Sequence, residues 1–482
     1  MSKIIFIEPK SPNLHIYSQF PLPRLGSFIL GTLMKKRGWD VDIIVEEQRA
    51  VDFNDVKSAD LVGISTITST APRAYAIAKK VREMGIPVIL GGPHVTFLPE
   101  EGLDYADFVI RGEAEHPIMM FIDAWENRKE YTHVPNLSYK KNGKAIHNPM
   151  ESFIANLDDI PFPELALLQN NTKRIGGQTI IPIQTSRGCP YNCSFCSVTG
   201  MFGRKYRFRS PENIIAELKQ YDDRRNFVFF YDDHFTANRR RAKILLEKMI
   251  QEKFKFKWST QVRADIGKDI ELVKLMKKAG CYTLFIGFES VNPESLKAMK
   301  KQQTIDEIVN AIKVLQKHRI HIHGMFVYGF DEDDWQTVKE TVKFAKRAKL
   351  NSTQFLILTP LPGSEFYNQM CTEKRIQFRD WNLYDAHHVV FRPARFSLFD
   401  LQKAQIYSHQ KFYSLMETVK KILKWKLVDV GLAHYARRLN RLWKKKNKTF
   451  LKVVDLLTPK KKTIISIDYR EKIILDDERV VV

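Results

Sequence analysis

Cysteine is scarce in this chain: five residues in 482, and none in residues 1–180. So few thiols exclude a disulfide-stapled secreted scaffold. No apolar run reaches the ~18 residues that a membrane-spanning helix requires. The opening Met1-Ser2-Lys3-Ile4-Ile5-Phe6-Ile7 is a short apolar run followed at once by Glu8 and Pro9. It lacks the longer apolar region and small-residue cleavage site of a secretory signal and reads as a first strand. A cytoplasmic location is therefore expected. Acidic residues are also in short supply, 55 Asp+Glu against 77 Lys+Arg, for a formal net charge of +22. The excess is uneven, with 20 Lys+Arg against 8 Asp+Glu in residues 401–482. Such a stretch attracts a polyanion, either nucleic acid or an anionic membrane surface. The length implies two or three domains.

Against this scarcity, three of the five cysteines fall within one loop, Ser186-Arg187-Gly188-Cys189-Pro190-Tyr191-Asn192-Cys193-Ser194-Phe195-Cys196. The spacing is Cys-x3-Cys-x2-Cys. Three thiolates on one short loop can hold three irons of a [4Fe–4S] cube, which leaves the fourth iron open to a small molecule. A structural zinc site would want a fourth Cys or His nearby, and His234 is far along the chain. Cys281 reads as a small buried core residue, and Cys371 lies beyond the strand–helix region.

The triplet resembles the radical S-adenosylmethionine (radical SAM) signature. The resemblance implies that Cys189, Cys193 and Cys196 ligate the cluster, that Phe195 lies near the adenine of SAM, and that the open iron binds the amino and carboxylate groups of SAM. It also implies that an electron from the cluster cleaves SAM to a 5′-deoxyadenosyl radical.

Residues 1–135 alternate strand and helix patterns, with strands expected at 3–8, 40–45, 60–65, 87–90 and 107–110. This rhythm implies an open, doubly wound, Rossmann-like parallel sheet. Its glycines and small hydroxyl residues collect at the strand C-termini, where such sheets bind ligands. The unit resembles the cobalamin-binding domain that precedes the radical SAM core in one large class of these enzymes. The matching residues are Ser65 and Thr66 after the third strand, Gly91, Gly92 and His94 after the fourth, and Gly112, Glu113 and Glu115 after the fifth. The Asp-x-His-x-x-Gly motif that supplies a lower axial histidine in many cobalamin domains is absent, and His15 has the wrong context to replace it. Residues 136–175 are rich in Asn, Pro and Gly and read as a linker with a short hairpin.

From 176 to 375 the alternation repeats six times, which implies a partial (β/α)6 barrel with its chemistry at the strand C-termini. Asp232 and Asp233, Arg263 and Glu289 fall at such ends. The resemblance implies contacts from them to the amino group, carboxylate and ribose of SAM, and such residue types suit those partners. Residues 376–482 form a helical, basic C-terminal region. Its first part is dense in aromatics, including Trp381 and Phe391, that suit the cover of a cavity. In residues 401–448, Leu415, Val419, Leu423 and Leu427 recur at helical spacing among lysines, a pattern suited to an anionic membrane surface or to an RNA backbone.

The α/β chain thus reads as a cobalamin-dependent radical SAM enzyme that modifies an unactivated carbon, with methylation of a lipid or other hydrophobic substrate leading. Cyclisation or another carbon–carbon bond formation is the second outcome, and RNA modification the third. The expected cofactors are a [4Fe–4S] cluster, SAM and cobalamin, with a flavodoxin or ferredoxin as electron donor. A nucleic-acid partner is the weaker reading, because the RNA-modifying relatives carry a second cysteine triplet that residues 1–180 lack. The catalytic residues themselves stay unassigned at this level.

Overall fold

A computed structural model describes residues 1–13, 22–168, 174–175 and 177–458. His15 and the end of the basic tail, 459–482, lie outside the described residues. The first sheet contains β1 (Lys3–Glu8), β2 (Asp40–Val45), β3 (Leu61–Ser65), β4 (Val88–Gly91), β5 (Phe108–Ile110), β6 (Leu137–Lys141) and β7 (Lys144–His147), in the order β2-β1-β3-β4-β5-β6-β7. Strands β1 to β5 run parallel. Their continuous apolar runs follow from burial on both faces. Ile4 and Phe6 pack with Phe28 and Phe121 on one side, while Ile5 and Ile7 pack with Ala74, Ala78 and Val81 on the other. The chain reverses direction across the sheet at β1, and ligand crevices form at the strand C-termini beside such a point.

One boundary differs from the sequence reading. The hairpin expected in the linker belongs to this sheet: β6 pairs antiparallel with β5, and β7 with β6. The first sheet therefore continues through the start of the linker segment to His147. The physical reason is the edge of β5, whose backbone groups would otherwise lie unpaired; Leu137 and Tyr139 of β6 are buried.

The second sheet contains β8 (Arg174–Ile175) and β9 (Gln178–Ile183), followed by a two-stranded ribbon, β10 (Ser186–Arg187) with β11 (Arg207–Phe208), that brackets the cysteine loop. It continues with β12 (Asn226–Phe230), β13 (Lys257–Val262), β14 (Cys281–Glu289), β15 (His321–Tyr328) and β16 (Ser352–Ile357). The order β8-β9-β12-β13-β14-β15-β16 follows the chain, and β9 to β16 are parallel. This is the expected set of six units, open rather than closed. Its helices begin where side-chain caps predict: Asn238, Asp269, Thr304 and Asp334 each accept a hydrogen bond from a first-turn amide. The helix Leu398–Phe412 covers β16, where the Tyr413 hydroxyl donates to the Thr353 carbonyl at 2.7 Å and accepts from its amide at 2.8 Å.

Trp258 of β13 has no exposed surface, and its indole N–H donates to the Ala279 carbonyl at 2.7 Å. Trp258→Ala should lower the unfolding free energy by about 3–5 kcal/mol. The check is the urea midpoint, which an unimportant side chain would leave unmoved.

Candidate active site

The cysteine loop leaves the C-terminal end of β9 and is built from buried charges. Asp232, fully buried after β12, accepts from the Thr185 amide at 2.8 Å, the Ser186 amide at 2.8 Å and the Thr185 hydroxyl at 2.5 Å. Arg241 donates to the Thr185 hydroxyl at 3.1 Å and its carbonyl at 2.8 Å. Gly188 has φ +84°, and a Cβ there would lie 2.6 Å from the Lys205 carbonyl. Only glycine permits that turn immediately before Cys189. Across the loop, the Arg263 guanidinium stacks 3.7 Å from the Tyr191 ring centre and donates to the Cys193 sulfur at 3.9 Å.

The three sulfurs are half-buried and electrostatically coupled to one another and to Asp233. Burial raises the Cys189 thiol and pushes Cys196 up to about 12. A cluster would thus displace protons as it binds. Among the described residues, no three Cys, His, Asp or Glu side chains converge as a single ion requires. A cube asks for a wider arrangement, each sulfur on its own iron, and three cysteines on one loop beside a cationic Arg263 suit that donor set. Phe195 sits at the loop's end with its ring 6.2 Å from Phe330.

Several expected SAM contacts are otherwise engaged. Asp232 is committed to the backbone of the loop, because its position two residues after β12 aims it at the neighbouring strand end. Arg263 also donates to the Lys301 carbonyl, so it clamps the loop to the 301–302 segment. Glu289, held at φ +61° by a bulge at the end of β14, pairs with Lys301 at 2.6 Å. Asp233 differs from all three. It keeps accessible surface, has no hydrogen-bond partner among the described residues, and is pushed up to about 7 by desolvation and then by Asp232 beside it. It is an exposed, unpartnered carboxyl beside the cysteine loop, electrostatically coupled to the Cys189 and Cys196 sulfurs.

A cleft opens where the ends of β1, β3, β4 and β5 meet the flank of the cysteine loop. Ser65, Gly91, Gly92, Gly112, Glu113 and Glu115 line it, as their positions at the strand ends imply. Thr66 and His94 do not. Thr66 is fully buried and bonds the Gly91 carbonyl at 2.8 Å. His94 turns away from the cleft, with Nε2 3.3 Å from Glu101 and its ring 5.0 Å from Trp381. Trp381 also donates to Glu101 at 2.9 Å, so this aromatic of the C-terminal region packs on the first unit instead of covering a cavity. Gly92 has φ +99°, and a Cβ on it would stand 2.4 Å from the Thr66 carbonyl. A Cβ at Gly26 would meet nothing within 4 Å, and at Gly91 only the Ile110 carbonyl at 3.9 Å, so both present bare backbone to open space. With Ile29, Ile89 and Ile118 as apolar walls, the lining of this cradle suits a flat macrocycle.

Glu113 and Glu115 line the cleft but are engaged. Both oxygens of the buried Glu113 carboxylate accept hydrogen bonds: from Arg187 at 3.0 Å, from Arg207 at 2.9 and 2.8 Å, and from the Ile154 amide at 2.9 Å. Glu115 pairs with Arg187 at 2.5 Å. Desolvation opposes the charge on Glu113, but the bonds from Arg207 and the charges of both arginines outweigh it and hold the carboxyl below its ordinary range. Sequence reasoning missed Arg24 and Tyr231, which line the same cleft. Arg24 donates to the Ser65 carbonyl at 3.2 Å, and Tyr231 stands between the cleft and Asp233. The signal for Tyr231 was its place beside the Asp pair; Arg24 gave none.

The chain matches the Radical SAM superfamily model over residues 183–345 and the B12 binding domain model over residues 15–122. An uncharacterized methyltransferase from Pyrococcus horikoshii is 32% identical over 404 residues, covering 81% of this chain and 88% of its own. Bacteriochlorophyllide d C-12(1)-methyltransferase from Chlorobaculum tepidum is 26% identical over 398 residues, covering 82% and 83%. Among solved structures, the radical SAM methyltransferase TsrM from Kitasatospora setae, with cobalamin and a [4Fe-4S] cluster bound, has the same fold at a TM-score of 0.64 and 16% identity, over 77% of this chain and 78% of that one.

Asp232→Ala would leave two buried amides and the Thr185 hydroxyl without their acceptor and the nearby Arg241 without its counter-charge. A loss of about 3–5 kcal/mol is expected, measured as a fall in the urea midpoint, together with a lower iron content after reconstitution. The isosteric Asp232→Asn should lose less.

Proposed function

The chain belongs to the radical SAM superfamily, in the branch that carries a B12-binding domain ahead of the radical SAM core, and we propose that it is a C-methyltransferase acting on an unactivated carbon of a hydrophobic small molecule or lipid. The reading rests on one observation: the glycine-lined cleft and the cysteine loop share walls, with Arg187 and Tyr231 lining the cleft while Arg187 lies two residues before Cys189. When bound, the cluster supplies the electron that cleaves SAM to a 5′-deoxyadenosyl radical, and cobalamin supplies a methyl carrier beside it.

The chain's own residues have separate tasks in this reading. Cys189, Cys193 and Cys196 each hold one iron. Asp233 receives the ammonium of SAM, the role for which an unpartnered carboxylate beside the cysteine loop is suited. Phe195 borders the adenine. Glu289, steadied by Lys301 through one oxygen, offers the other to a ribose hydroxyl. Asp232 and Arg263 act on the loop and not on SAM. Gly26 and Gly91 let the corrin approach the backbone, while Gly92, Gly112, Ser65, Arg24 and Tyr231 border it. The units are the cobalamin domain to His147, a linker, the partial barrel to 375 and the C-terminal region. A flavodoxin or ferredoxin would supply the electron, and the basic C-terminal region would make a peripheral contact with anionic membrane. The name of the bacteriochlorophyllide relative supports the hydrophobic substrate class.

Anaerobic reconstitution should give roughly four iron and four sulfide per chain together with corrinoid absorbance. With methyl-deuterated SAM, a reductant and an organic-soluble cell extract, label should enter that extract. Formation of 5′-deoxyadenosine without any label in the extract would remove methyl transfer. Cys193→Ala should abolish SAM cleavage, and retained cleavage would contradict the cluster assignment.

Asp233 also sets a pH dependence. With its pKa raised to about 7, it is neutral below that pH and anionic above it. Binding of SAM should therefore weaken as the carboxyl is protonated at falling pH and level off once it is anionic. Asp233→Asn should bind weakly and with little pH dependence. A wild-type profile that is flat from pH 5.5 to 8, on the order of the window this shift defines, would sink the assignment.

A further inference from the structure

The helical hairpin Leu415–Ile422 and Leu427–Lys446 has its amphipathic pattern turned outward. A helix at a protein surface normally hides its apolar stripe. Here the longer helix buries Ala433 and Trp443, but around the turn between the helices the residues turned inward are polar. Thr418 and Asp429 are buried, with Thr418 donating to the Ser414 carbonyl at 3.0 Å and Asp429 accepting from Asn351 at 3.3 Å. The apolar residues point outward: Leu415 is 71% exposed, Leu423 75%, Leu427 67%, and Trp425 at the turn 86%. Met416 and Val419 extend the same face. A contiguous patch of this kind marks an interaction surface.

Charge selects the partner. Residues 414–446 hold ten Lys or Arg and two acids. Of the two acids, Asp429 is buried and Glu417 is paired with Lys420 at 3.0 Å. Lys420, Lys424 and Lys426 flank the exposed apolar tip. A second copy of the chain would bring like charges together. A nucleic-acid backbone would leave the leucines and the indole in water. We infer that this hairpin docks on an anionic phospholipid bilayer, with Trp425 and the leucines at the acyl boundary and the lysines at the phosphates. The inference rests on the peripheral membrane contact proposed above and assigns it to one element; it is independent of the radical chemistry. Lys421 and Asp429 tie the hairpin to Asn351, which precedes β16 and accepts from the Ile322 amide of β15 at 3.0 Å. The hairpin therefore hangs from the strand N-termini, and the cysteine loop at the opposite ends faces away from the lipid.

The test is flotation of the full chain with phosphatidylcholine vesicles, with and without phosphatidylglycerol. Wild type should float with the anionic vesicles only, and less so as salt rises. Two variants, Leu423→Ser with Trp425→Ser, and Lys420→Glu with Lys424→Glu and Lys426→Glu, should each reduce flotation roughly tenfold or more. Both should cleave SAM as wild type does, because none of these residues borders a cofactor site. Wild type that does not float, variants that float like wild type, or a dimer in sedimentation that the Trp425 variant abolishes would each overturn the inference. Parallel loss of flotation and SAM cleavage would overturn the separation of the dock from the catalytic unit.

Discussion

A single buried carboxylate holds the two halves of this molecule in register. Glu113 leaves the end of β5 in the first sheet and accepts from Arg187 and Arg207, the two arginines of the ribbon that brackets the cysteine loop. Taking such ions out of water costs several kcal/mol each. The arrangement persists because both carboxylate oxygens are filled and because Glu115 completes the pairing of Arg187. Since the cost is recovered only with full geometry, the ends of the two sheets can meet in few ways. The cleft and the cysteine loop are thereby set side by side.

The same logic governs the loop itself. A short segment with three reactive thiols cannot hold its shape by apolar packing alone. It is held through its backbone by Asp232 and Arg241 on one side, and through the Cys193 sulfur and the Tyr191 ring by Arg263 on the other. These charges are buried and each is hydrogen-bonded, which leaves Asp233 as the carboxyl beside the sulfurs without a partner of its own. The distinction between two adjacent aspartates is therefore one of environment: one is spent on the fold, the other remains for a ligand.

Much of this was legible from residue order. The two open sheets, nearly every strand, the helix caps, the cysteine triplet and the glycine-bearing strand ends follow from local periodicity and spacing, because each is determined within about ten residues. The partners of side chains were not legible. Glu113 lies 74 residues from Arg187 and 94 from Arg207, and nothing local shows which neighbour fills a carboxylate. For the same reason the place of His94 after β4 suggests a cleft residue, although Glu101 and Trp381 draw its ring to the other side. The edge of β5 recruited a hairpin that composition alone assigned to a linker. In the C-terminal hairpin, periodicity revealed a stripe of leucines but not that it faces outward.

The most direct test of this account is magnetic. With the cluster reduced and cobalamin in its paramagnetic cobalt(II) form, the spin–spin splitting between the two centres reports their relative placement. Native protein should show one well-defined splitting, and Glu113→Gln, with both cofactors still loaded, should show it broadened or lost. An identical splitting in the variant would contradict the claim that this carboxylate sets the two sites against each other.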